Sequence, residues 1–433
     1  MKKVAILTNF TGYDPAYSLI SVAGNQVKML KRHGYEPKVI VCESWKEGDA
    51  GPYDEAEILR IPNVRVYNEV KIDDTFMEDI DKIKKALDIF LADVDVVLTH
   101  DLIYQPSAMK HNVVARAIAG EKPNIRWLHW VHSATPWDLL PGSGDYREIL
   151  GKKFPHSFIV FPNAYSIPRV AENFGFNEEE VKYVPHPIDV CDFLGFHPLS
   201  RKMVEEHDVL PADVIGVYPL RLDRGKQVEW VVRIFAQLSK QWGRNVRLVI
   251  FDFHSTGGDK VVYRQELKAL AKVRGLTEKE FWFASEFDES LKHASPRQMI
   301  RDFMLISNVY IHPSRSETFS LTTQEAALSG NYLVLNFDFT PMRSLWGDQY
   351  VTYRKFSSNI DFASGMDGET TTTHRPSDDQ YAFDVAGRIT YQLANDWSLA
   401  MRTKIRQTRN LDFVFNQFLE PLIYYEEELP IAK

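Results

Sequence analysis

The chain has 433 residues, 44% hydrophobic and 25% charged, which is ordinary for a globular protein and long enough for two or three domains. With 51 Lys+Arg against 59 Asp+Glu the formal charge is -8, so a nucleic acid partner is not favoured, although a local basic groove stays open. Two cysteines, Cys42 and Cys191, exclude a disulfide framework and lead to the expectation of a reducing, cytoplasmic compartment.

The start, Met1 to Leu7, imitates a basic segment followed by an apolar one, but Thr8, Asn9, Thr11 and Asp14 cut it short, so it reads as a first strand. Nowhere do about 18 uncharged apolar residues run together, so no transmembrane segment is expected, while peripheral membrane contact stays open. Apolar runs rich in Val, Ile and aromatic residues predict strands over 3–8, 37–42, 94–99, 125–129, 157–161 and 182–184. A helix over 22–33, stopped by Gly34, separates the first two. The rhythm restarts with strands predicted over 214–220, 246–251, 281–284, 309–312 and 332–336, which signals a second domain.

Between the first two of these lies 227–242, where Val228, Val231, Val232, Phe235, Leu238 and Trp242 follow helical spacing on one face. Ser295 and Pro296 read as N-cap and first residue of a helix running to Ile306. The stretch 366–379 reads as a polar surface loop and 397–425 as a terminal helix. The class is α/β, with ligands expected at the carboxyl ends of the strands and in a crevice between the domains.

The most informative segment joins a strand to a helix: His312-Pro313-Ser314-Arg315-Ser316-Glu317-Thr318-Phe319-Ser320-Leu321-Thr322-Thr323-Gln324-Glu325-Ala326. It resembles the E-x7-E signature of retaining GT-B glycosyltransferases, similar to glycosyltransferase family 4. That resemblance implies that Glu317 approaches the donor sugar and that Glu325 accepts hydrogen bonds from the ribose hydroxyls. Phe319, Ser320, Leu321 and Thr322 would line the donor site, because a helix starting near Thr322 points free N–H groups at a diphosphate. The alternative is a capping box from Thr322 to Glu325, with Glu317 a solvated loop acid.

A second segment, Tyr218-Pro219-Leu220-Arg221-Leu222-Asp223-Arg224-Gly225-Lys226, resembles the same family's Gly-Arg-Leu…Lys-Gly stretch. The roles of holding the donor pyrophosphate pass by position to Arg221 and Lys226. Pro219 stands where a small residue is usual, and Gly225 precedes the lysine rather than following it. Pairs of Arg221 with Asp223, or Lys226 with Glu229, are the alternative, each worth under about 1 kcal/mol.

In the first half, Trp130-Val131-His132-Ser133 is similar to the family's histidine segment, which implies contact of His132 with the transferred sugar. A satisfied structural histidine is the alternative, and a zinc pair of His129 with His132 lacks a third ligand. Ala23-Gly24-Asn25-Gln26 resembles the family's glycine turn, where Gly24 would let backbone approach phosphate; a glycine kept for helix packing is the other reading. Val184-Pro185-His186-Pro187-Ile188-Asp189 resembles the stretch that ends the family's first domain.

The resemblance implies a GT-B fold of two Rossmann-like doubly wound domains facing a central cleft, over 1–197 and 198–395, with 396–433 crossing back toward the first. The implied function is retaining transfer of a sugar from a UDP- or GDP-sugar donor to an acceptor hydroxyl, without metal or other cofactor. The acceptor is not specified: glycan, lipid, protein and modified nucleobase all remain open, with 127–137 and 141–153 as acceptor surfaces. A sugar-nucleotide epimerase, a phosphorylase and a non-catalytic nucleotide-sugar-binding module remain alternatives. A dinucleotide oxidoreductase is disfavoured, since no G-x-G-x-x-G follows the first strand.

Overall fold

The alternation of apolar runs with amphipathic helices resolves into two parallel sheets in a computed structural model. It describes residues 1–14, 16–46, 51–62, 74–133, 147–150, 152–255, 258–315, 319–338, 340–347, 349, 351–356 and 376–425. One unit comprises Met1–Asp189 with Arg409–Lys433, the other Val190–Thr408. The chain thus passes between units after Asp189 and again before Arg409, where the sequence reading had set limits at 197 and 395.

Unit 1 contains β1 (Val4–Leu7), α1 (Ser18–Arg32), β2 (Lys38–Cys42), β3 (Glu57–Ile61), α2 (Asp74–Phe90), β4 (Val96–His100) and α3 (Met109–Glu121). It continues with β5 (Arg126–Trp130), α4 (Arg147–Leu150), β6 (Ser157–Phe161), α5 (Ile167–Phe174) and β7 (Val181–Tyr183). The strand order is β3-β2-β1-β4-β5-β6-β7, every pair parallel. Successive side chains leave opposite faces, so Ala5 and Leu7 pack with Leu87 and Trp127 on one side, while Val4 and Ile6 pack with Val27 and Leu30 on the other. Helices covering both faces explain why β1 is apolar at every position rather than alternating.

Unit 2 contains α6 (Val190–Phe193), α7 (Pro198–Glu206), β8 (Val214–Leu220), α8 (Val228–Lys240), β9 (Val246–Asp252), α9 (Gly258–Val273), β10 (Phe281–Phe283) and α10 (Arg297–Ile306). It continues with β11 (Val309–His312), α11 (Leu321–Leu328), β12 (Tyr332–Asn336), α12 (Thr340–Trp346), β13 (Thr352–Arg354), α13 (Pro376–Asn395) and α14 (Trp397–Thr408). Its order is β10-β9-β8-β11-β12-β13, again parallel. Helix α8 lies close on the sheet because Gly216 in β8 has no side chain; a Cβ there would run into the ring of Phe235. Both units are therefore Rossmann-type, and each sheet reverses direction of growth at its first strand, between β1 and β4 and between β8 and β11.

Several expectations need correction. Edge strands β3 and β13 were not foreseen: Glu57 and Arg60 break the apolar run of one and the other is a three-residue Thr-Tyr-Arg, as suits edges that only one neighbour covers. Pro296, not Ser295, is the N-cap of α10, and no side chain caps it. Part of the expected polar loop, 366–375, lies outside the described residues, as do 134–146 and 151 of the proposed acceptor surfaces. Pro376–Asp379 instead open α13, where a first-position proline and two acids suit a helix start. There Asp379 accepts from Arg233 and from Arg274, each at 2.5 Å.

The terminal helix is not continuous. It breaks at Arg409, and the Asn410 side chain caps a new start by accepting from Phe413 N–H at 2.9 Å. From there α15 (Leu411–Val414), a π-helical turn (Phe415–Leu419) and α16 (Glu420–Ile423) lie on unit 1, where Phe415 stacks on His33 at 3.8 Å. Among the described residues no helix is long and apolar enough to cross a membrane.

Candidate functional site

The two motif segments of unit 2 leave neighbouring strands. β8 and β11 pair with Val309 opposite Gly216, so the loops at their carboxyl ends emerge side by side at the reversal point of the sheet, where open α/β folds hold ligands. Direct bonds then tie the loops together. Arg315 N–H donates to Gly225 carbonyl at 3.1 Å, and the Gln227 side-chain amide donates to Pro313 carbonyl at 2.5 Å. Tyr218 hydroxyl donates to Lys226 carbonyl at 3.1 Å, while Asn336 from β12 donates to the carbonyls of Pro313 and Ser314 at 3.3 and 3.2 Å. Gln227 takes φ 51° as it turns the chain into α8, a left-handed conformation that costs a non-glycine residue energy and is held here by its buried bond.

Within this frame Arg221 is exposed and Lys226 half-buried. Asp223 pairs with Lys260 at 3.4 Å, and Glu229 is buried and accepts from the Tyr263 hydroxyl. Burial pushes the Glu229 carboxyl above its ordinary range, and the Tyr263 hydrogen bond opposes that. Arg224 is held by both Glu266 oxygens, at 2.8 and 2.9 Å, and lies over the Tyr263 ring at 4.8 Å.

Helix α11 starts at Leu321, one residue before the expected point, and Ser320 precedes it with φ 55° and no side-chain cap bond. Ser320 hydroxyl lies 2.7 Å from that of Thr323, and Thr322 hydroxyl accepts from Tyr310 at 2.8 Å. Phe319 and Leu321 are exposed, whereas Ser320 is buried. The capping box is overturned, since Glu325 does not fold back to the helix start but pairs with Arg297 of α10. Ser316, Glu317 and Thr318 lie outside the described residues.

In unit 1, His132 follows β5 and is half-buried. Its backbone N–H donates to the Asp101 carboxylate at 3.0 Å, which also accepts from Tyr104 hydroxyl at 2.5 Å. Its ring lies between two other histidines: His100 at 5.4 Å and His186 at 5.2 Å between centroids, both near parallel. Burial lowers His132 to about 4; burial first and the neighbouring His132 charge second lower His186 to about 4. Fully buried His100 is lowered well below its ordinary value, by burial and then by the other two rings.

His129 is buried in β5, with Nδ1 2.7 Å from Thr99 hydroxyl and its ring against Trp127 and Phe154. Among the described residues no group of three His, Cys, Asp or Glu side chains could hold a metal. Gly24 lies buried inside α1 rather than at its opening turn, beyond the first four N–H groups that a helix leaves free for a phosphate. Sequence reasoning missed Gln26, His100, Gln227 and Arg297, whose partners lie in other elements; for His186 it noted the position but not the stack.

Solved structures that resemble the chain include a glycosyltransferase from Rickettsia africae, 15% identical, covering 98% of this chain and 100% of that one with a TM-score of 0.36. The Anabaena protein HepE in complex with UDP is 13% identical, covering 97% and 99% with a TM-score of 0.34. A UDP-forming α,α-trehalose-phosphate synthase from Burkholderia xenovorans is 12% identical, covering 99% and 100% with a TM-score of 0.37. No curated protein matches the chain. Residues 205–344, which hold β8, β11 and both of the joined loops, match the family described as Glycosyl transferases group 1.

Proposed function

We propose that the protein is a retaining glycosyltransferase that moves a sugar from a UDP- or GDP-sugar to an acceptor hydroxyl. The observation that carries the reading is the bonding of the 225–227 turn to Pro313 and Arg315, inside the stretch that matches the glycosyl transferase family. A nucleoside diphosphate bound at this sheet reversal would suit the cations Arg221 and Lys226 together with free N–H groups at the start of α11.

In this proposal Arg221 and Lys226 bind the donor diphosphate, Glu325 accepts from the ribose hydroxyls, and Ser320, Leu321, Thr322 and Phe319 line the nucleotide. Glu317 approaches the donor sugar through the E-x7-E spacing, and His132 contacts the transferred sugar. The acceptor oxygen forms its bond to the anomeric carbon on the face from which the diphosphate leaves, and the acceptor proton passes to the departing phosphate oxygen. Charge growing on that phosphate is stabilised by the two cations and the helix N–H groups, worth on the order of 3–4 kcal/mol for a well-placed donor. No metal is required in this scheme, and the proposed compartment is the cytoplasm, which would keep buried Cys42 and Cys191 reduced.

Thermal-shift screening against a panel of UDP- and GDP-sugars, followed by donor hydrolysis with and without EDTA, tests the reading. Stabilisation by one nucleotide class and EDTA-resistant turnover to a product of unchanged anomeric configuration are expected. Stabilisation by an unrelated cofactor, with none of these donors bound, would refute it.

A further inference from the structure

Three buried or half-buried side chains in unit 1 form a directed chain. Gln26, on α1 and 2% exposed, places its amide oxygen 3.0 Å from His100 Nε2. His100 Nδ1 in turn lies 3.1 Å from His132 Nε2. A carbonyl oxygen can only accept, so His100 carries its proton on Nε2. A neutral imidazole has one N–H, so His100 Nδ1 is an acceptor and His132 must donate to it from Nε2.

We propose that Gln26 and His100 are positioning residues that lock His132 in the Nε2–H tautomer and leave its Nδ1 a bare hydrogen-bond acceptor. Neutral rings are what the surroundings favour: His100 is enclosed, and His132 lies between it and His186, so protonating neighbouring members of the row would set like charges side by side. Burial lowers all three, with His132 and His186 at about 4. Asp101 holds the His132 backbone through its N–H, which fixes where the ring starts without setting its proton.

The consequence for ligands rests on the sugar-transfer reading: His132 would take a hydrogen bond from a sugar hydroxyl and would not donate one. A donor whose corresponding hydroxyl is methylated or removed would lose that bond, while an acceptor-only group could not replace it.

The lock itself is testable without any ligand. Two-bond 1H–15N spectra of the full-length, histidine-labelled protein at pH 7 should show His132 and His100 as Nε2–H tautomers, with single-histidine variants used for assignment. Gln26→Leu should convert both to mixed tautomers, and Gln26→Glu, which retains an oxygen acceptor, should restore the wild-type pattern. An Nδ1–H tautomer at His132 in the wild-type protein overturns the proposal, as does a pattern that Gln26→Leu leaves unchanged. If Gln26→Leu does not fold, the wild-type spectrum decides alone. A locked tautomer in a protein that binds no sugar nucleotide would keep the relay and remove the transfer reading, so the two can fail separately.

Discussion

The backbone N–H of Arg315 meets the carbonyl of Gly225 at 3.1 Å, and this bond joins the two loops on which the proposed donor site depends. Gln227 reinforces it by donating to Pro313 from a buried position. Gln227→Ala leaves the Pro313 carbonyl with Asn336 as its remaining donor and should cost about 0.5–1.5 kcal/mol. It should also raise the KM for the donor more than it lowers kcat, since loop placement is lost rather than a charge. Chemical denaturation and donor titration measure the two effects; unaltered donor affinity in a destabilised variant would separate the tie from the site.

Arg221 is exposed, so its removal should leave the fold intact. Arg221→Ala should shift stability by no more than about 0.5 kcal/mol. The same substitution, and Lys226→Ala, should each lower kcat by about 100- to 1,000-fold if they stabilise the leaving diphosphate. Steady-state kinetics beside a melting curve checks this, and near-normal turnover in Arg221→Ala would remove that residue from the mechanism.

Glu325 pairs with Arg297, which is largely solvent-exposed at 78% of its side chain. An exposed pair of this kind is worth under about 1 kcal/mol, so Arg297→Ala should barely change stability. Glu325→Ala should weaken nucleotide binding by at least tenfold, because the carboxylate is the proposed ribose acceptor. Arg297→Ala should leave binding unchanged or tighten it, since it frees that carboxylate. Calorimetric titration with the nucleoside diphosphate distinguishes the outcomes; equal loss in both variants would mean that the ion pair serves the fold.

Acid sensitivity follows from the histidines. His132 and His186 sit at about 4 and His312 at about 3, all lowered chiefly by burial, whereas an unfolded chain titrates them near 6.5. The unfolded state therefore binds more protons below pH 6.5, so the stability present above that point is lost as pH falls toward 4. Unfolding free energy should be lower by at least about 1 kcal/mol at pH 5 than at pH 7. Urea titrations at the two pH values check this, and a flat profile would show that these rings are solvated.

Much of the framework was legible in the sequence. Ser157–Phe161, Val214–Leu220, Val309–His312 and Tyr332–Asn336 occupy the ranges their apolar runs predict, and α10 ends at Ile306 as expected. Strands buried on both faces must be apolar throughout, and that burden is written locally. Edge strands carry no such burden, which is why Glu57–Ile61 and Thr352–Arg354 passed unnoticed.

The site divides along the same line. Resemblance of 221–226 and 317–325 to a known family's motifs nominated Arg221, Lys226 and Glu325, because a short motif lies within one loop and the helix that follows. Spacing could not show that Glu325 turns to Arg297, that Gln227 reaches Pro313, or that Gln26 reaches His100. A hydrogen bond depends on distance in space, and sheet order brings β11 beside β8 and β4 beside β1 although neither pair is consecutive along the chain. Local composition therefore determined which strands form, while the parallel winding of each sheet decided which side chains meet at their ends.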